Sequence, residues 1–209
     1  MTETLPMIPP LADDEIHVWR ATWSSGMGEA RFGELLAAYA GEGAPTVARG
    51  AHGKPHFPAP FDTLGFNRSH SGDVALFAIG RGPHGFQLGV DVERVRPRAR
   101  AIELASRFFA DNETDALKAL PVDGQLDGFL RLWTAKEAVL KAHGGGLSYG
   151  LHRVAFRFVG AAVVPDAFDG DVGSASNWQV HPLSLGEGLH AALAWLGGER
   201  MVRVFTYPL

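Results

Sequence analysis

The chain has 209 residues, with 19 basic and 23 acidic side chains and a formal net charge of −4. This length suits one large domain or two small, tightly joined lobes, and the absence of an obvious linker predicts one compact unit. The acidic balance argues against a general nucleic-acid-binding protein, which normally carries net positive charge. The sequence contains no cysteine, so disulfides, thiolate zinc sites and a cysteine nucleophile are excluded.

The amino terminus shows no signal for export or membrane insertion. Residues 1–19 lack a basic run followed by an apolar stretch, so they do not predict a secretory signal. No apolar run approaches the ~20 residues that a helix needs to cross a bilayer. We therefore expect a cytoplasmic protein without a membrane partner.

The first half of the chain predicts short strands around one helix. The predicted elements are a strand at 15–23, a helix at 28–41, a short strand and turn within 44–57, a polar loop at 65–73, and strands at 74–79 and 86–93. We expect a hairpin through 81–85 to join the last two strands.

The second half predicts helices followed by strands. The predicted elements are one or two helices within 100–117, the strongest helix at 126–146, and strands and turns over 147–208. Asn112 or Asp111 is placed to cap the second of the first two helices. Gly144 is placed as the C-terminal cap of the strongest helix.

The sequence also indicates a weak internal repeat. Residues 69–80 and 187–197 both consist of a polar turn followed by an apolar strand. Each of these segments would close one half of a two-lobed molecule, so a duplicated fold is expected.

The predicted strand at 86–93 places two carboxylates on one face. Side chains at i and i+2 of a strand point the same way, so Asp91 and Glu93 repel each other unless a cation neutralises them. Taken alone, the pair is typical of a solvated strand face next to the basic run that begins at Arg94. The spacing therefore leaves open which cation, if any, the carboxylates face.

The strongest helix carries a third carboxylate with a cation beside it. Thr134, Glu137 and Lys141 are spaced at i, i+3 and i+7, which forms one polar stripe opposite the apolar side. An ordinary Glu–Lys helix pair would explain this spacing. Together with Asp91 and Glu93, however, Glu137 completes a set of carboxylates that suits Mg²⁺, and Lys141 suits a phosphate.

Two polar segments supply candidate anion ligands. The segment "FNRSHSG" offers Asn67, Ser69 and His70 as hydrogen-bond donors. The segment "RGAHGKPHF" offers turn amides and the Lys54 side chain. Each segment alone is typical of an ordinary turn, but together with the carboxylates they describe a pocket for pyrophosphate and Mg²⁺.

Four motifs, "GKP", "FNxSHS", "GVDVE" and "WTxKEAxLKxxGxGL", occur in this order between Arg49 and Leu147. In this order and spacing they resemble the signature set of the surfactin-type 4′-phosphopantetheinyl transferases. "GVDVE" followed by "WTAKEAVLKAHGGGL" is the strong part of the resemblance, whereas "GKP" alone is weak. The resemblance implies transfer of the phosphopantetheine group of coenzyme A to a serine of an apo carrier protein, with release of adenosine 3′,5′-bisphosphate.

The resemblance also implies an α+β fold, with two similar α/β lobes related by a pseudo-twofold axis and the ligand site between them. For this chain it implies a single phosphopantetheinyl transferase unit over 1–209, with approximate lobes 1–85 and 86–209. A monomer is expected because both lobes are present in one chain.

By the same resemblance, the candidate site residues fall into three groups. The implied ligands of Mg²⁺, with Mn²⁺ as the alternative, are Asp91, Glu93 and Glu137. The implied catalytic residues are Glu137, a general base acting directly or through water, and Lys141, which would contact the pyrophosphate. The implied coenzyme A-binding residues are Arg49, His52, Gly53, Lys54, Pro55, Asn67, Ser69, His70 and Lys141.

This sequence departs from the family pattern in two places. The helical segment before "GKP" is short, and Arg31 is its sole basic residue, so we expect Arg31→Ala to weaken coenzyme A binding more than it slows turnover. The 3′-phosphate is then either held more weakly or held with the help of Arg68, which replaces the apolar residue usual in "FNxSHS".

The expected protein partner is an acidic apo carrier protein of the acyl or peptidyl type. Five arginines between residues 94 and 107 form its expected docking surface, with an ordinary solvated basic loop as an equal alternative. Two other functions fit the motifs: a non-catalytic coenzyme A-binding module and a Mg²⁺-dependent pyrophosphate hydrolase. The first does not require three metal ligands, and the second requires a water-activating group away from a protein docking site.

Overall fold

The computed structural model describes residues 7–24, 27–50, 52–96 and 100–208, which form a mixed α+β fold. The α-helices in these segments are α1 (Met27–Ala40), α2 (Ala101–Phe108), α3 (Asp111–Lys118) and α4 (Val122–His143). The strands are β1 (Glu15–Thr22), β2 (Ala48–Arg49), β3 (Pro55–His56), β4 (Leu64–Ser71), β5 (Val74–Arg81), β6 (Leu88–Arg94), β7 (Val154–Val159), β8 (Ala162–Phe168), β9 (Trp178–Pro182), β10 (Leu189–Leu196) and β11 (Met201–Thr206). Across the described segments, every helix is too short or too polar to span a bilayer.

The strands form two main sheets. The first has the order β11-β1-β5-β4, in which β11 runs parallel to β1 and the other neighbours are antiparallel. The second has the order β6-β10-β9 and is antiparallel throughout. The short pairs β2–β3 and β7–β8 lie outside these sheets.

The two main sheets share one strand order, which explains the internal repeat. Each sheet contains a trio of strands in which the strand that comes last in the sequence lies in the centre, between the other two. The spatial orders are β1-β5-β4 and β6-β10-β9. The segments that indicated a duplication, 69–80 and 187–197, contain β5 and β10, which are the central strands of these trios. The two sheets differ in one respect: the first has a fourth strand, β11, which pairs with β1. The division into lobes at residues 85 and 86 remains a prediction.

Three apolar layers hold the sheets and helices together. The layer between the two sheets includes Leu76 of β5 and Leu193 of β10, both fully buried. Helix α1 covers the other face of the first sheet through residues such as Leu35. Helix α4 covers the other face of the second sheet, where Leu140 and Ala192 belong to one cluster. Because successive side chains of a strand point to opposite faces of the sheet, each strand contributes apolar residues to the layers on both faces.

The hairpin predicted through 81–85 is wrong. Strand β5 pairs with β1 and β4, whereas β6 pairs with β10 in the other sheet. Phe86 in this connection is buried in the apolar layer between the sheets. Its burial directs the chain across that layer instead of back along β5.

The polar loop predicted at 65–73 is also wrong, because β4 continues through most of it. The turn is confined to the end of the segment, where Gly72 has a φ of 63°. The polar side chains alternate: Ser69 bonds to β6, while His70 stacks on Trp23 on the other side. Polar composition suggested a loop because this half of the strand borders a cleft and not the core.

The helix predictions are confirmed in outline. Helix α4 begins and ends a few residues earlier than predicted, and its last residue is His143. Gly144 is the C-terminal cap, as predicted: its φ of 95° suits glycine, and its amide donates to the Leu140 carbonyl at 2.9 Å. The predicted caps of α3 are replaced by Glu113, whose Oε2 accepts a hydrogen bond from the Ala110 amide at 2.9 Å. Glutamate at this position satisfies an amide that would otherwise lack a partner.

Candidate active site

Helix α4 lies very close to strand β6, and Gly89 makes this approach feasible. A Cβ atom at residue 89 would overlap the Ala138 carbonyl oxygen and the Ala142 amide nitrogen. Only glycine fits there, because any side chain would push the helix away. Residue Asp91 is two positions further along the same face of β6, so its carboxylate meets Lys141 on that helix.

Lys141 is the cation that faces Asp91. Its Nζ donates to Asp91 Oδ1 at 2.7 Å, to Ser69 Oγ at 3.0 Å and to the Val90 carbonyl at 3.2 Å. These contacts use all three N–H groups of the ammonium. Ser69 Oγ also donates to Asp91 Oδ1 at 2.8 Å. Asp91 is 5% exposed, so it is not part of a solvated strand face.

Burial dominates the electrostatics of Asp91. Removal from water raises the pKa of Asp91, and the nearby Lys141 and Ser69 oppose that rise. The charge of Glu93 raises it further. A carboxylate in this position is ionised only with the help of the cations around it.

Glu137 is the third carboxylate of the cluster. It is 7% exposed and lies one turn before Lys141 on α4. Burial, followed by the charge of Asp91, raises the pKa of Glu137 to about 7, against the opposing effect of Lys141. Glu93 also raises it. The structure therefore brings Asp91, Glu93 and Glu137 within electrostatic reach of each other.

The donor chemistry of this cluster fits a hard divalent cation. Asp91 Oδ2 is buried and has no hydrogen-bond partner among the described residues, and oxygen-only ligands suit Mg²⁺ or Mn²⁺. The set is not closed, since within the described residues no three acidic or histidine side chains are gathered as metal ligands. Asp91 Oδ1 is bonded to Lys141, and Glu93 Oε2 accepts from Ser71 Oγ at 3.0 Å.

These groups open into one cleft of about 480 Å³, which we call the carboxylate cleft. Its lining includes two of the three residues of β4 that were predicted to bind a ligand, Ser69 and His70. The ring of His70 stacks on Trp23, with centroids 4.1 Å apart and an interplanar angle of 17°. The cleft thus has a charged side at the carboxylates and an aromatic wall at the stacked rings.

Asn67 has a different position from the one predicted for a ligand-lining residue. Its Oδ1 accepts a hydrogen bond from the Val90 amide at 3.0 Å, and Ser71 Oγ accepts one from the Arg94 amide at 3.1 Å. Strands β4 and β6 are therefore joined by hydrogen bonds that backbone amides of β6 donate to side chains of β4. Asn67 is not among the residues that line the carboxylate cleft.

The side chain of Lys54 in the "GKP" turn is committed to the protein backbone. Its Nζ donates to the Ala142 carbonyl at 2.7 Å and to the Leu88 carbonyl at 3.1 Å. Burial lowers the pKa of Lys54 to about 7. A neutral amine still carries two N–H groups, one for each carbonyl, so Lys54 ties the turn to β6 and to the end of α4 in either charge state.

The rest of the turn borders a second cleft of about 350 Å³, which we call the turn cleft. His52 and Lys54 line it together with Gly144. Arg49 Nη1 donates to the Gly53 carbonyl at 3.0 Å, within the turn itself. The side chains Arg49 and Pro55, like Gly53, are not among the lining residues of either cleft. Because Gly144 follows Lys141 by about one helical turn, the two clefts are close along α4.

Sequence reasoning missed a second buried ion pair on the same helix. Lys136 is fully buried, and its Nζ bonds Glu113 Oε2 at 2.6 Å and the carbonyls of Val154 and Leu151 at 2.7 and 3.0 Å. Glu113 Oε1 also accepts from the Phe156 amide at 2.8 Å. The signal was present, because a lysine on the apolar side of a helix implies a buried partner.

Arg31, expected to hold a phosphate, is buried instead. It is 4% exposed, and its Nη1 donates to the Thr22 carbonyl at 3.2 Å. Its guanidinium lies over the ring of Tyr207, 5.4 Å from the centroid. Arg31 does not line the carboxylate cleft, so Arg31→Ala is now expected to affect packing first and ligand binding only indirectly.

A family model for the 4′-phosphopantetheinyl transferase superfamily matches residues 87–194, just over half of the chain. The chain belongs to this family. The matched region begins at β6, ends within β10 and includes Asp91, Glu93, Glu137 and Lys141. It excludes Ser69 and His70, so the phosphopantetheinyl transferase match covers the charged side of the carboxylate cleft but not its aromatic wall.

Two curated members of the family are similar to this chain over about half of their length. The chain is 43% identical over 102 residues to 4′-phosphopantetheinyl transferase AcpT of Escherichia coli (strain K12), covering 48% of this chain and 50% of that protein. It is 39% identical over 106 residues to the 4′-phosphopantetheinyl transferase of Bacillus subtilis, covering 51% and 44%. The holo-[acyl-carrier-protein] synthase AcpS of Thermotoga maritima matches with a TM-score of 0.43 and 23% identity over 54% of this chain and 63% of that one, too low to support an argument.

Proposed function

We propose that this chain transfers the 4′-phosphopantetheine group of coenzyme A to a serine hydroxyl of an apo carrier protein and releases adenosine 3′,5′-bisphosphate. The observation that carries the proposal is the cleft in which Asp91, Glu137 and Lys141 meet. Membership of the superfamily supports it. The four motifs and the repeated strand order within one chain support the surfactin-type subgroup.

The carboxylates are proposed to hold one Mg²⁺ or Mn²⁺ ion. Asp91, Glu93 and Glu137 would supply the oxygen ligands. The Oδ2 atom of Asp91 supports this assignment, because a buried carboxylate oxygen without a partner is costly unless a cation meets it. When bound, the ion would neutralise charge on the pyrophosphate and polarise the transferred phosphoryl group.

Lys141 is proposed to stabilise negative charge on the pyrophosphate. Its ammonium is held in place by Asp91, Ser69 and the Val90 carbonyl, so it is positioned before the substrate arrives. A fixed charge of this kind stabilises developing negative charge without a reorganisation cost. Contact with a phosphate oxygen requires one of its three hydrogen bonds to be exchanged.

Glu137 is proposed as the general base. The serine oxygen of the carrier attacks the β-phosphorus, and the bond from that phosphorus to the oxygen of the leaving adenosine bisphosphate breaks. The serine proton passes to Glu137, directly or through an ordered water. Without a bound cation, burial raises the pKa of this carboxylate to about 7; ligation of Mg²⁺ by Glu137 would lower that pKa, so the route through an ordered water suits the metal-bound site better than direct transfer.

The nucleotide of coenzyme A is proposed to extend from Ser69 and His70 towards the turn at 49–55. The proximity of the turn cleft to Lys141, with His52 in its lining, supports this direction. Because Lys54 Nζ is bonded to two carbonyls, the backbone and aliphatic stem of Lys54 remain for the nucleotide. The proposed roles of Arg49, Gly53, Pro55 and Asn67 are to shape and support this region.

The protein partner is proposed to be an acidic carrier domain that docks on the arginine run of residues 94–107. Arg98 lies outside the described residues. Within α2, Arg107 lies over the exposed ring of Phe108, 5.1 Å from the centroid. Basic charge beside exposed apolar surface supports docking of an acidic helical partner. A monomer is proposed, since both charged and aromatic sides of the cleft come from one chain.

Incubation of the protein with coenzyme A, Mg²⁺ and a panel of apo carrier domains tests the proposal. A mass increase of a carrier by one phosphopantetheine group supports the transferase, and Glu137→Ala should abolish it. Release of adenosine 3′,5′-bisphosphate without any carrier would favour a pyrophosphate hydrolase. Coenzyme A binding with neither product would favour a non-catalytic binding module.

A further inference from the structure

Arg68 is a second cation in the lining of the carboxylate cleft. Its guanidinium pairs with Glu29 of α1. It lies 6.0 Å from the ring centroid of Trp23 and 5.7 Å from that of Phe32. Whereas Lys141 is held by three groups of β4 and β6, the partner of Arg68 is a side chain that is 61% exposed.

Arg68 and His70 lie on the same face of β4, two residues apart. His70 stacks on Trp23, and Trp23 also lies under the Arg68 guanidinium. We call this group, Trp23, Glu29, Arg68 and His70, the Arg68 corner. A planar guanidinium with five donors, next to an imidazole, is suited to a phosphate monoester.

The Arg68 corner is separate from the charged side of the same cleft. Side chains alternate along β4, so Ser69 reaches Asp91 and Lys141, while Arg68 reaches α1. A ligand that fills both regions needs a pyrophosphate for one and a further phosphate for the other. Coenzyme A, the substrate of the proposed function, has this pattern in its pyrophosphate and its 3′-phosphate.

Helix α1 offers no alternative cation at this end of the cleft. The sequence of α1 contains one basic residue, Arg31, and its guanidinium is buried against Tyr207. The nearest charge that α1 contributes to the cleft lining is the carboxylate of Glu29. Among the described residues, Arg68 is therefore the permanently charged cation at this wall, with the His70 imidazole beside it.

We propose that Arg68 binds the 3′-phosphate of coenzyme A and that this phosphate displaces Glu29 from the guanidinium. The inference rests on the proposed function. An exposed ion pair contributes little to stability, and both partners here are more than one third exposed. Exchange of Glu29 for a dianionic phosphate therefore costs the fold little, and Glu29 holds Arg68 in position until the ligand binds.

Calorimetric titration with coenzyme A and with 3′-dephospho-coenzyme A, both in Mg²⁺, tests the assignment. The wild type should bind coenzyme A more tightly. Arg68→Ile should weaken coenzyme A binding by about 10- to 100-fold, the range expected for charge-assisted hydrogen bonds to phosphate, and leave the dephospho compound unchanged. Arg68→Lys, which keeps the charge, should retain part of the preference.

Two further variants sharpen the test. Glu29→Gln removes the competing carboxylate and should tighten binding of coenzyme A a few-fold without changing that of 3′-dephospho-coenzyme A. Arg157→Gln, on β7 outside the cleft and paired with Asp166 at 3.5 Å, changes the net charge as Arg68→Ile does and should leave both affinities unchanged.

The outcomes separate this inference from the proposed function. Equal weakening of both ligands by Arg68→Ile would assign Arg68 to the pyrophosphate and overturn the inference. Equal binding of both ligands by wild type and variant would overturn it as well, with the proposed function intact. Failure of the folded wild type to bind either ligand would contradict the proposed function itself.

Discussion

Helix α4 carries two lysines that pair with buried carboxylates; the two pairs resemble each other in geometry and differ in their proposed use. Lys136 meets Glu113 at 2.6 Å, and Lys141 meets Asp91 at 2.7 Å. In each pair the ammonium completes its hydrogen bonds with two further oxygen atoms. Burial raises the pKa of both carboxyl groups.

The two pairs differ in what remains unsatisfied. Both oxygens of Glu113 are bonded, one to the Phe156 amide and the other to the Ala110 amide and Lys136. Asp91 Oδ2 has no partner among the described residues and borders a cleft. A perturbed pKa therefore does not separate a functional pair from a structural one here. The unused bonding capacity of a buried oxygen on a residue that lines a cleft does.

Among substitutions within the two ion pairs, Asp91→Asn should produce the largest effect, and it should act on activity. The substitution keeps the shape of the side chain but removes the charge that faces Lys141 and the proposed metal. We expect carrier modification to slow by about a thousandfold, the upper range for loss of one preorganised charge interaction. Mass spectrometry of an apo carrier at saturating coenzyme A and Mg²⁺ measures the rate. A folded variant with a near wild-type rate would move the chemistry away from this cluster.

Glu113→Gln should act on stability instead. It leaves the fully buried Lys136 without its counter-charge, and removal of one partner of a buried pair costs about 3 kcal/mol or more. Urea unfolding should show this loss, while the rate per folded molecule stays near that of the wild type. Lys136→Met combined with Glu113→Gln should recover part of the stability, because no isolated charge remains. A large loss of activity in folded Glu113→Gln would remove the distinction between the two pairs.

The pKa of Glu137 predicts a linked dependence on pH and Mg²⁺. Burial raises this pKa from 4.5 to about 7, so between these values the unfolded state has released a proton that the folded state keeps. The metal-free protein should therefore lose stability as pH rises through this window. Below about pH 7, Mg²⁺ must displace that proton. The half-saturating concentration of Mg²⁺ should therefore rise by about tenfold for each unit by which the pH falls.

Thermal melts with and without Mg²⁺ over this pH range measure both effects. Glu137→Gln provides the control, because its side chain does not titrate and both trends should become weaker; the part that remains belongs to the other buried carboxyl groups, Asp91 and Glu113. A half-saturating Mg²⁺ concentration that stays constant below pH ~7 would exclude Glu137 as a ligand that competes with a proton.

The parts of the site that the sequence predicts are those fixed by local spacing. Asp91 and Glu93 share a strand face, and Glu137 and Lys141 share a helix face, so each pair follows from backbone periodicity. The strand and the helix can meet only because Gly89, the glycine of the "GVDVE" motif, has no side chain that would overlap the backbone of α4. The resemblance to a known family then supplied the pairing of strand and helix.

The parts that the sequence does not predict depend on distant partners or on which face is covered. Lys54 bonds the carbonyl of Ala142, 88 positions away, and a backbone carbonyl has no signature in sequence. Arg31 is typical of a surface residue, yet Tyr207 from the other end of the chain covers it. The segment at 65–73 is polar enough for a loop but forms β4, because its side chains bond β6 on one side and border α1 on the other.

Lys54→Met should have the smallest effect on stability. It compares a buried lysine that bonds only backbone carbonyls with the two lysines of α4, which pair with carboxylates. Methionine keeps the apolar stem but leaves the carbonyls of Leu88 and Ala142 without their donor. Loss of these hydrogen bonds should destabilise the protein by about 1–2 kcal/mol in urea unfolding. Lys118→Met on α3, where the lysine is 52% exposed and pairs with Asp115 at 3.6 Å, should change stability very little.

The pH dependence of that loss distinguishes a backbone tie from a phosphate-binding cation. Burial lowers the pKa of Lys54 from 10.5 to about 7, so above pH 7 the unfolded chain binds a proton that the folded protein has released. Stability of the wild type should then rise with pH relative to Lys54→Met, and the gap between them should widen from pH ~7 to ~9. A gap that stays constant over this range would mean that Lys54 stays charged in the folded protein, because the folded and unfolded states would then bind the same number of protons. Its ammonium would then be the cation that the "GKP" motif predicts, and the two carbonyls would be its resting partners.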